Sequence, residues 1–451
     1  MRVAHFVQRY PPALGGSEAY FARLSQYLAA AGDRVTVFTT TALDLEAFWS
    51  RYGRCLGGGA HTEDAVEVRR YPLWRWPGRR YLLKALSLFP HRLWQCLTLP
   101  CNPIAPRMWS AAGNGDEAFD LVHATAFPYA WPIVCGLRLA RRLRVPFLLT
   151  PFLHLGDLED PNDPLRRAYL SPALLTLLRA ADGVFVQTDL ERVALINQGI
   201  PAEKLVLLGM GVDAHECTGG NRVRIRQEWG VGPDEVVVGH LANNSVEKGT
   251  VDLLRAAERV WQGSRRFHLI LAGPEMPNFR RFWRNCYSPQ WVRRLGVLTE
   301  QQKRDFFAGV DLLALPSRSD SFGLVLLEAW ANCVPNVAYR AGGVAAVVRH
   351  ELDGLLVRCG DEPGLAEALS RLIKDGGLRR RLGAAGQERI GTEFQWKDKL
   401  DRVRSVYRQL VSGESERLAS VGGKPDVTAT LGLRPATLAT HQILTSPPTR
   451  P

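Results

Sequence analysis

Two carboxylates, Asp320 and Glu328, stand eight positions apart around the predicted start of a helix. An apolar strand, 311–315, ends shortly before them, and the helix is expected to begin near Phe322. In open parallel sheets, ligands bind at the carboxyl ends of the strands, and the free N–H groups of a helix N-terminus suit a phosphate or pyrophosphate. Asp320 would meet such a ligand at the helix start, whereas Glu328, about two turns inside the helix, would reach along its flank.

Strands and helices alternate in the first half of the chain. A strand from Val3 to Val7, a loop with Gly15 and Gly16, a helix and a second strand at 34–39 follow one another. This order is that of a βαβ unit, which implies a parallel sheet. Further strands are predicted at 121–125, 146–150, 183–187 and 204–208, and helices at 129–143 and 165–180.

After a polar loop at 214–222 the alternation begins afresh. Strands are predicted at 235–239, 268–273, 311–315, 337–339 and 354–357, and helices at 250–261, 322–331, 363–374 and 378–391. Because 451 residues are too many for one core, we expect two consecutive α/β units. The residues from 413 to 451 turn to Ser, Gly, Thr, Pro and Ala, a composition that predicts a disordered tail.

The segment around the two carboxylates resembles glycosyltransferase family 4 (glycosyl transferases group 1). It runs Pro316-Ser-Arg-Ser-Asp-Ser-Phe-Gly-Leu-Val-Leu-Leu-Glu-Ala-Trp-Ala-Asn-Cys-Val-Pro335, and the hallmark of the family is a glutamate, seven residues and a second glutamate. The resemblance implies that Asp320 contacts the transferred sugar and that Glu328 binds the ribose hydroxyls of the nucleotide. The loop amides that would hold the diphosphate belong to Ser321, Phe322, Gly323, Leu324 and Val325. A lone carboxylate pair is more often a solvated helix charge, so this interpretation depends on the surrounding context.

Two segments of the first half also resemble the family. Pro11-Pro-Ala-Leu-Gly-Gly-Ser-Glu18 resembles its N-terminal glycine loop, in which Gly15 and Gly16 would let the backbone approach the donor phosphates or the acceptor closely. Thr150-Pro-Phe-Leu-His-Leu-Gly-Asp157 resembles the segment that carries the active-site histidine of the family. That resemblance implies that His154 lies beside the reacting sugar, as a hydrogen-bond partner rather than as a nucleophile.

A loop of the second half, within 238–250, resembles the strand and Lys-Gly turn of the family. Lys248 would then neutralise the diphosphate as it leaves. His240 stands roughly where the family has an arginine, which makes it a further donor-binding candidate. Either Lys248 bears more of the leaving-group charge in this chain, or a nearby arginine substitutes.

The resemblance implies a GT-B fold of the α/β class, in which two Rossmann-like doubly wound domains face each other across a cleft. We expect an acceptor-side domain at 1–210, a nucleotide-sugar donor domain at 211–392 and, at 393–412, a helix that crosses back to the first domain. Apolar residues of that helix lie at amphipathic spacing; they are Leu400, Val403, Val406, Tyr407 and Leu410.

Composition narrows the possible functions. The net charge of +12 suits nucleic acid, an anionic membrane or a phosphorylated substrate, and no nucleic-acid module is recognised. No apolar run is long enough to span a bilayer, and the first residues do not resemble a signal peptide. The eight cysteines form no C-x-x-C pair, so reduced thiols in a cytoplasmic protein are expected, with no metal and no cofactor.

The segment 68–115 contains no acidic residue. Its basic residues are Arg69, Arg70, Arg75, Arg79, Arg80, Lys84, Arg92 and Arg107, and its tryptophans are Trp74, Trp76, Trp94 and Trp109. Two interpretations stay open: peripheral contact with the inner face of an anionic membrane, or an insertion packed on the first domain with solvated arginines. Pro90 is expected to break the helical pattern at 80–99.

The predicted reaction is transfer of a sugar from a UDP-sugar, a GDP-sugar or a related donor to a hydroxyl acceptor such as a lipid-linked or glycan precursor. The resemblance implies retention of the anomeric configuration and no divalent metal. Two alternatives remain: a sugar-nucleotide epimerase of the same fold, and a non-catalytic sugar-nucleotide-binding protein. The second is favoured by three departures from the family pattern, which are Asp320 for Glu, His240 for Arg and Cys333 for Gly.

Overall fold

The computed structural model describes residues 1–263, 266–285 and 289–413, which contain two parallel β-sheets flanked by helices. The strands of the first sheet are β1 Arg2–Phe6, β2 Arg34–Thr40, β3 Gly59–Glu63, β4 Val66–Tyr71, β5 Leu121–Ala124, β6 Phe147–Leu149, β7 Gly183–Val186 and β8 Leu205–Leu207. Those of the second are β9 Val236–Leu241, β10 Phe267–Ala272, β11 Val292–Gly296, β12 Leu312–Leu315, β13 Asn336–Tyr339 and β14 Gly354–Val357. Beyond Gly413, the predicted tail lies outside the described residues.

Helices cover both faces of each sheet. In the first half they are α1 Gly16–Ala30, α2 Arg79–Leu86, α3 Arg92–Leu97, α4 Pro106–Asn114, α5 Ala130–Leu143, α6 Pro164–Tyr169, α7 Pro172–Ala180 and α8 Asp189–Asn197. In the second they are α9 Ala214–Cys217, α10 Arg222–Trp229, α11 Thr250–Gly263, α12 Pro277–Asn285, α13 Glu300–Gly309, α14 Leu324–Ala331, α15 Val344–Val347, α16 Glu362–Lys374, α17 Gly376–Thr392 and α18 Trp396–Val411. None of these helices combines the length and the apolar character that crossing a bilayer requires.

The second sheet has the order β11-β10-β9-β12-β13-β14, and its paired strands are all parallel. Numbered along the chain, this is the order three, two, one, four, five, six of a doubly wound dinucleotide-binding fold. The direction of winding reverses between β9 and β12, so the loops after these strands diverge and leave a crevice at their carboxyl ends. Lys248 follows β9 and Asp320 follows β12.

The first sheet has the order β3-β4-β2-β1-β5-β6-β7-β8 and reverses between β1 and β5. The loop with Gly15 and Gly16 follows β1, and His154 follows β6, so the predicted residues of this half lie at the carboxyl edge of the sheet. All its pairs are parallel except β3 with β4, which forms an antiparallel edge. The predicted pair of doubly wound α/β domains is therefore confirmed.

Most predicted strands and helices are present. The structure also contains elements that were not predicted, which are α4, α8, α10, α12, α13, α15 and β11, and it differs from the predictions in three further places. The single helix expected at 165–180 is two helices, because Pro172 lacks the N–H that would continue α6 and instead starts α7. The loop at 214–222 contains α9, whose first turn is capped by the Asp213 side chain. The hairpin of β3 and β4 was not predicted, since the exposed residues 59–63 show no apolar alternation. The break at Pro90 is confirmed, because α2 ends before it and α3 begins after it.

Helix α18 packs on the first sheet and crosses back as predicted. Its five predicted apolar residues are all buried. Tyr407 Oη lies 2.5 Å from His123 Nδ1 and 3.3 Å from His5 Nε2, and the other ring nitrogens meet Thr150 and Ser25. Burial lowers the pKa of His5 to about 3 and that of His123 well below its usual value, so both rings are neutral. A buried polar network thus fixes the helix to the strands.

Replacing Tyr407 by phenylalanine is expected to destabilise the protein by about 1–3 kcal/mol, because one nitrogen of each buried histidine loses its partner. The matched control is Tyr27→Phe, since the Tyr27 hydroxyl also contacts α18, at Asp401, but on the exposed surface. We expect the control to change stability by less than about 0.5 kcal/mol. Urea unfolding of both variants measures the difference, and equal losses would show that the buried network adds nothing.

Candidate active site

Lys248 and Asp320 meet at the crevice of the second sheet. Lys248 Nζ lies 2.8 Å from Asp320 Oδ2 and donates a hydrogen bond to the Ser319 carbonyl at 3.1 Å. The turn is tight, because Gly249 has a φ of +69° and a Cβ there would lie 1.8 Å from the Pro316 carbonyl oxygen. Only glycine allows that approach. The Lys-Gly turn therefore holds the lysine against the end of β12, where about a fifth of each side chain of the pair remains exposed.

The loop before α14 is held by a pair of glycines that sequence reasoning missed. The Gly343 N–H donates to the Asp320 carbonyl at 2.8 Å. A Cβ on Gly343 would lie 1.7 Å from the Ser321 carbonyl oxygen, and one on Gly342 would lie 2.4 Å from that of Asp320. The available signal was two adjacent glycines directly after a predicted strand. Their close packing fixes residues 320–323, directly before the first turn of α14, whose N–H groups are not capped by a side chain.

Glu328 lies on α14 and is paired with Lys303 of α13. Lys303 Nζ lies 2.5 Å from Glu328 Oε1, and both side chains are mostly buried. Burial raises the pKa of Glu328, whereas the Lys303 ammonium lowers it. Sequence reasoning did not find Lys303, because it precedes Glu328 by 25 positions and belongs to another helix. The Lys303 ammonium thus favours the charged form of the carboxylate and leaves its second oxygen, Oε2, as an acceptor.

Lys303→Met is expected to make nucleotide binding dependent on pH. Without the ammonium, the pKa of Glu328 rises further, and the acidic neighbours Glu300 and Glu216 add to that rise. Affinity for a nucleoside diphosphate should therefore fall more steeply in the variant than in the wild type as the pH drops from about 8 to about 6. Isothermal titration at several pH values measures this slope.

The control for this experiment is Lys303→Arg, which keeps a cation beside Glu328 and should follow the pH profile of the wild type. Cys217 also faces Lys303, but burial raises the pKa of its thiol to about 12, so it stays neutral over this range. Parallel profiles for the methionine variant and the wild type would show that Lys303 has no influence on the ionisation of Glu328.

His154 belongs to the first domain but contacts the loop of the second. Its Nδ1 lies 2.5 Å from Ser319 Oγ, and its ring packs against Tyr169 with the centroids 5.0 Å apart. Burial lowers its pKa to about 4, and the nearby Lys248 ammonium lowers it too. The imidazole is thus neutral at neutral pH. It offers a hydrogen bond, not a positive charge, at the junction of the two domains.

The glycine loop of the first domain also lies at this junction. Gly15 precedes α1, and a Cβ on Gly16 would lie 4.0 Å from Leu324 Cδ1 at the start of α14. Arg9 and Glu18 form a buried ion pair of 2.7 Å that stabilises this loop. The structure therefore brings Gly16, His154 and the start of α14 to one place.

His240 does not lie with Gly16, His154 and the start of α14. Its side chain is fully buried, with Nδ1 2.8 Å from the Ala314 carbonyl oxygen and Nε2 2.9 Å from Thr250 Oγ1. Burial lowers its pKa to about 4, so the ring joins β9 to its neighbours as a neutral group. Of the arginines nearby, Arg318 pairs with Asp252 and Arg9 with Glu18. Lys248 is thus the cation that the crevice presents beside Asp320.

The two domains touch along one side of the crevice. The Gly342 N–H donates to the Gly156 carbonyl at 2.8 Å, and Arg358 forms an ion pair of 2.9 Å with Glu159. The first contact joins the two loops that carry His154 and the glycine pair, and the second uses the loop after β14. The arrangement therefore places one cation, two carboxylates, a neutral imidazole and a helix N-terminus around one cleft. In the described ranges, no group of three or more His, Cys, Asp or Glu residues is placed to bind a metal ion.

Comparison with known proteins agrees with this geometry. Residues 15–211 match the family profile described as "Glycosyl transferase 4-like domain", and residues 232–375 match "Glycosyl transferases group 1". The D-inositol 3-phosphate glycosyltransferase of Kineococcus radiotolerans is 26% identical over 91% of this chain and 93% of its own length. The N-acetyl-alpha-D-glucosaminyl L-malate synthase of Bacillus anthracis is 30% identical, over 42% of this chain and 49% of its own length.

Solved structures share the whole architecture. Sucrose-phosphate synthase from Thermosynechococcus elongatus superposes with a TM-score of 0.70 at 21% identity, over 91% of this chain and 99% of its own. Anabaena HepE in complex with UDP-glucose superposes with a TM-score of 0.66 at 19% identity, over 91% and 100%. One conclusion follows from the two doubly wound domains, the returning terminal helix and the two matching family profiles. The chain belongs to the group 1 glycosyltransferases of the family 4 type and has the GT-B fold.

Proposed function

We propose that this glycosyltransferase moves a sugar from a nucleoside diphosphate sugar to a hydroxyl acceptor with retention of the anomeric configuration. The observation that carries the proposal is the meeting of Lys248, Asp320 and His154 beside the N-terminus of α14. The Lys248 ammonium and the free amides of that helix suit the two phosphates of a donor. The second domain would therefore hold the donor and the first the acceptor.

The donor would lie along α14. Its diphosphate would contact the amides of 321–325 and Lys248, and its ribose hydroxyls would donate to Glu328 Oε2. The sugar would then lie between Asp320 and His154, which are supplied by different domains. Negative charge develops on the diphosphate as the glycosidic bond breaks, so a cation fixed at that position stabilises the transition state more than the ground state.

We propose that retention results from attack on one face of the sugar. Asp320 is paired with Lys248 and His154 Nδ1 contacts Ser319 Oγ, so we assign neither side chain as the nucleophile. The acceptor hydroxyl would instead approach from the face that the diphosphate leaves, and its proton would pass to a departing phosphate oxygen. We propose that no divalent metal is needed, because Lys248 and the helix amides supply the positive charge.

Acceptor-dependent release of nucleoside diphosphate tests this function. A panel of nucleotide-sugars that includes UDP-glucose and GDP-mannose is first screened by thermal shift, since a ligand that binds the native state raises its stability. The best donor is then incubated with candidate acceptors with and without EDTA, and the anomeric coupling constant of the product is measured by NMR. We expect release that needs the acceptor, is unchanged by EDTA and gives a product with the anomeric configuration of the donor.

Other outcomes would identify the alternatives. Conversion of the nucleotide-sugar to its epimer without any acceptor would indicate an epimerase. Donor binding with no turnover under any acceptor would indicate a non-catalytic binding protein. A product of opposite anomeric configuration would exclude retention.

We further propose that the segment 68–115 holds the enzyme against the inner, cytoplasmic face of an anionic membrane, where a lipid-linked acceptor would be reached. The segment is packed on the first domain through buried Arg79, which donates to three main-chain carbonyls. It nevertheless exposes large apolar side chains around the break between α2 and α3. The exposed fractions are 82% for Tyr81, 81% for Leu88, 62% for Phe89 and 39% for Trp94.

Flotation with liposomes tests this surface. The wild type should float with vesicles that contain phosphatidylglycerol and less with neutral phosphatidylcholine vesicles, because Arg80, Lys84 and Arg92 flank the apolar residues. The double variant Arg92→Ala and Trp94→Ala should float less. Equal flotation of variant and wild type would exclude the surface as a membrane contact.

A further inference from the structure

A second pocket, of about 400 Å³, lies on the first domain between α3, α4 and α5. Val134 and Leu137 of α5 form its buried floor, and Trp94, Leu97 and Trp109 form its walls. This volume is within the range of ligand pockets, about 300–1,000 Å³. None of its lining residues is among the residues of the candidate active site.

The rim of the pocket is basic. His91, Arg138 and Arg141 surround the apolar walls, and the Arg138 guanidinium stacks 4.2 Å from the centre of the Trp109 ring. In the described part of the chain, no ion pair joins Arg92, Arg138 or Arg141 to a carboxylate. An occupant that complements this site must therefore have an apolar body and an anionic end.

The pocket continues into the exposed apolar surface of α2 and α3. Trp94 belongs to both, because it lines the pocket and is 39% exposed, and its indole N–H donates to the Leu86 carbonyl at 2.8 Å. Leu88 and Phe89 are exposed in the same break between the helices. A chain that leaves a bilayer at this surface would reach the pocket past Trp94, which belongs to both.

We propose that this pocket binds one hydrocarbon chain of an anionic membrane phospholipid, with the lipid phosphate held by Arg138 and Arg141. The proposal rests on the proposed membrane contact of 68–115 and gives it a defined ligand. In this proposal the hydrocarbon chain contacts the apolar floor, and the lipid headgroup contacts the basic rim.

Binding of a single soluble lipid tests the pocket without a bilayer. The full chain is titrated calorimetrically with dioctanoyl phosphatidylglycerol below its critical micelle concentration. Dioctanoyl phosphatidylcholine and glycerol phosphate serve as the neutral lipid and the headgroup without chains. We expect the anionic lipid to bind at least tenfold more tightly than either. If glycerol phosphate binds as tightly as dioctanoyl phosphatidylglycerol, the pocket does not bind the hydrocarbon chain. If dioctanoyl phosphatidylcholine binds as tightly, the basic rim does not bind the lipid phosphate.

Two variants locate the binding. Leu97→Trp fills the pocket without changing charge and should weaken binding of the anionic lipid at least tenfold. Arg141→Gln removes a rim cation from an exposed position and should weaken it several-fold. The matched control is Arg142→Gln, the next residue along, which is exposed, does not line the pocket and donates to the Gly115 carbonyl. Unchanged affinity in Arg141→Gln, or an equal loss in Arg142→Gln, would overturn the assignment, even if Leu97→Trp fails to fold.

The outcomes separate this pocket from the membrane surface. Vesicle flotation reports the whole surface, whereas monomeric lipid reports the pocket alone. Tight lipid binding supports the pocket even if flotation is weak. Strong flotation with no binding of the monomeric lipid overturns the pocket but leaves the surface. Turnover with a soluble acceptor should be the same in Arg141→Gln and the wild type, so neither result depends on the donor site.

Discussion

Lys248→Ala is expected to lower the turnover number by about 10²- to 10³-fold. Lys248 is the cation beside Asp320, and it would face the diphosphate where charge develops as the sugar leaves. His240 cannot replace it, because that ring is neutral and both its nitrogens have partners inside the domain. The affinity for the donor should change much less, since the helix amides would still hold the ground-state phosphates.

Steady-state kinetics with saturating donor and acceptor measure the effect. Lys397→Ala is the control, because that lysine is exposed and pairs with Asp401 of its own helix. A turnover number within a few-fold of the wild type for Lys248→Ala would refute the role of this lysine. A loss in affinity as large as the loss in turnover would instead assign it to ground-state binding.

Glu328→Ala is expected to weaken the binding of a nucleoside diphosphate by about 10- to 100-fold. The variant removes the proposed acceptor for the ribose hydroxyls and also leaves the mostly buried Lys303 ammonium without its partner. Because the sugar would not contact this end of the proposed site, the free nucleotide should lose as much affinity as the nucleotide-sugar.

Calorimetric titration with the nucleotide alone and with the nucleotide-sugar tests both statements. Glu300→Ala is the matched control, since Glu300 belongs to the same neighbourhood but is exposed at the start of α13. Glu328→Gln keeps the shape and removes the charge, so it separates hydrogen bonding from packing. Unchanged nucleotide affinity in both Glu328 variants would exclude the proposed ribose contact.

The alternation of strands and helices could be predicted where a strand is an apolar run and a helix has apolar residues at helical spacing. The strand order of the second sheet could not be predicted from this alternation, since it depends on which buried faces pack together. The hairpin of β3 and β4 escaped detection for a local reason: its edge strand is exposed on both faces and carries no pattern. Pro172 was present in the sequence but was not given enough weight against the helical period around it.

At the site, the residues that follow strands could be predicted because their position depends on topology alone. Lys303 could not, since nothing in the spacing of two residues on different helices indicates that they meet. The orientation of His240 was also beyond the sequence: a strand residue points either to the crevice or to the core, and the partners Ala314 and Thr250 decide which. The glycine pair at 342–343 is visible in the sequence, but no predicted site residue next to it indicated that it has a role.

The return of α18 to the first sheet has a consequence for synthesis on the ribosome. The chain leaves the first domain near Val212 and comes back near Gln395, where the two passages pair as a parallel bridge. In sequence terms the second domain is therefore an insertion within the first. Tyr407 must emerge before His5 and His123 gain their partner, so the domain that begins the chain is the last to complete its core. We expect the second domain to resist protease in a nascent chain before the first domain does.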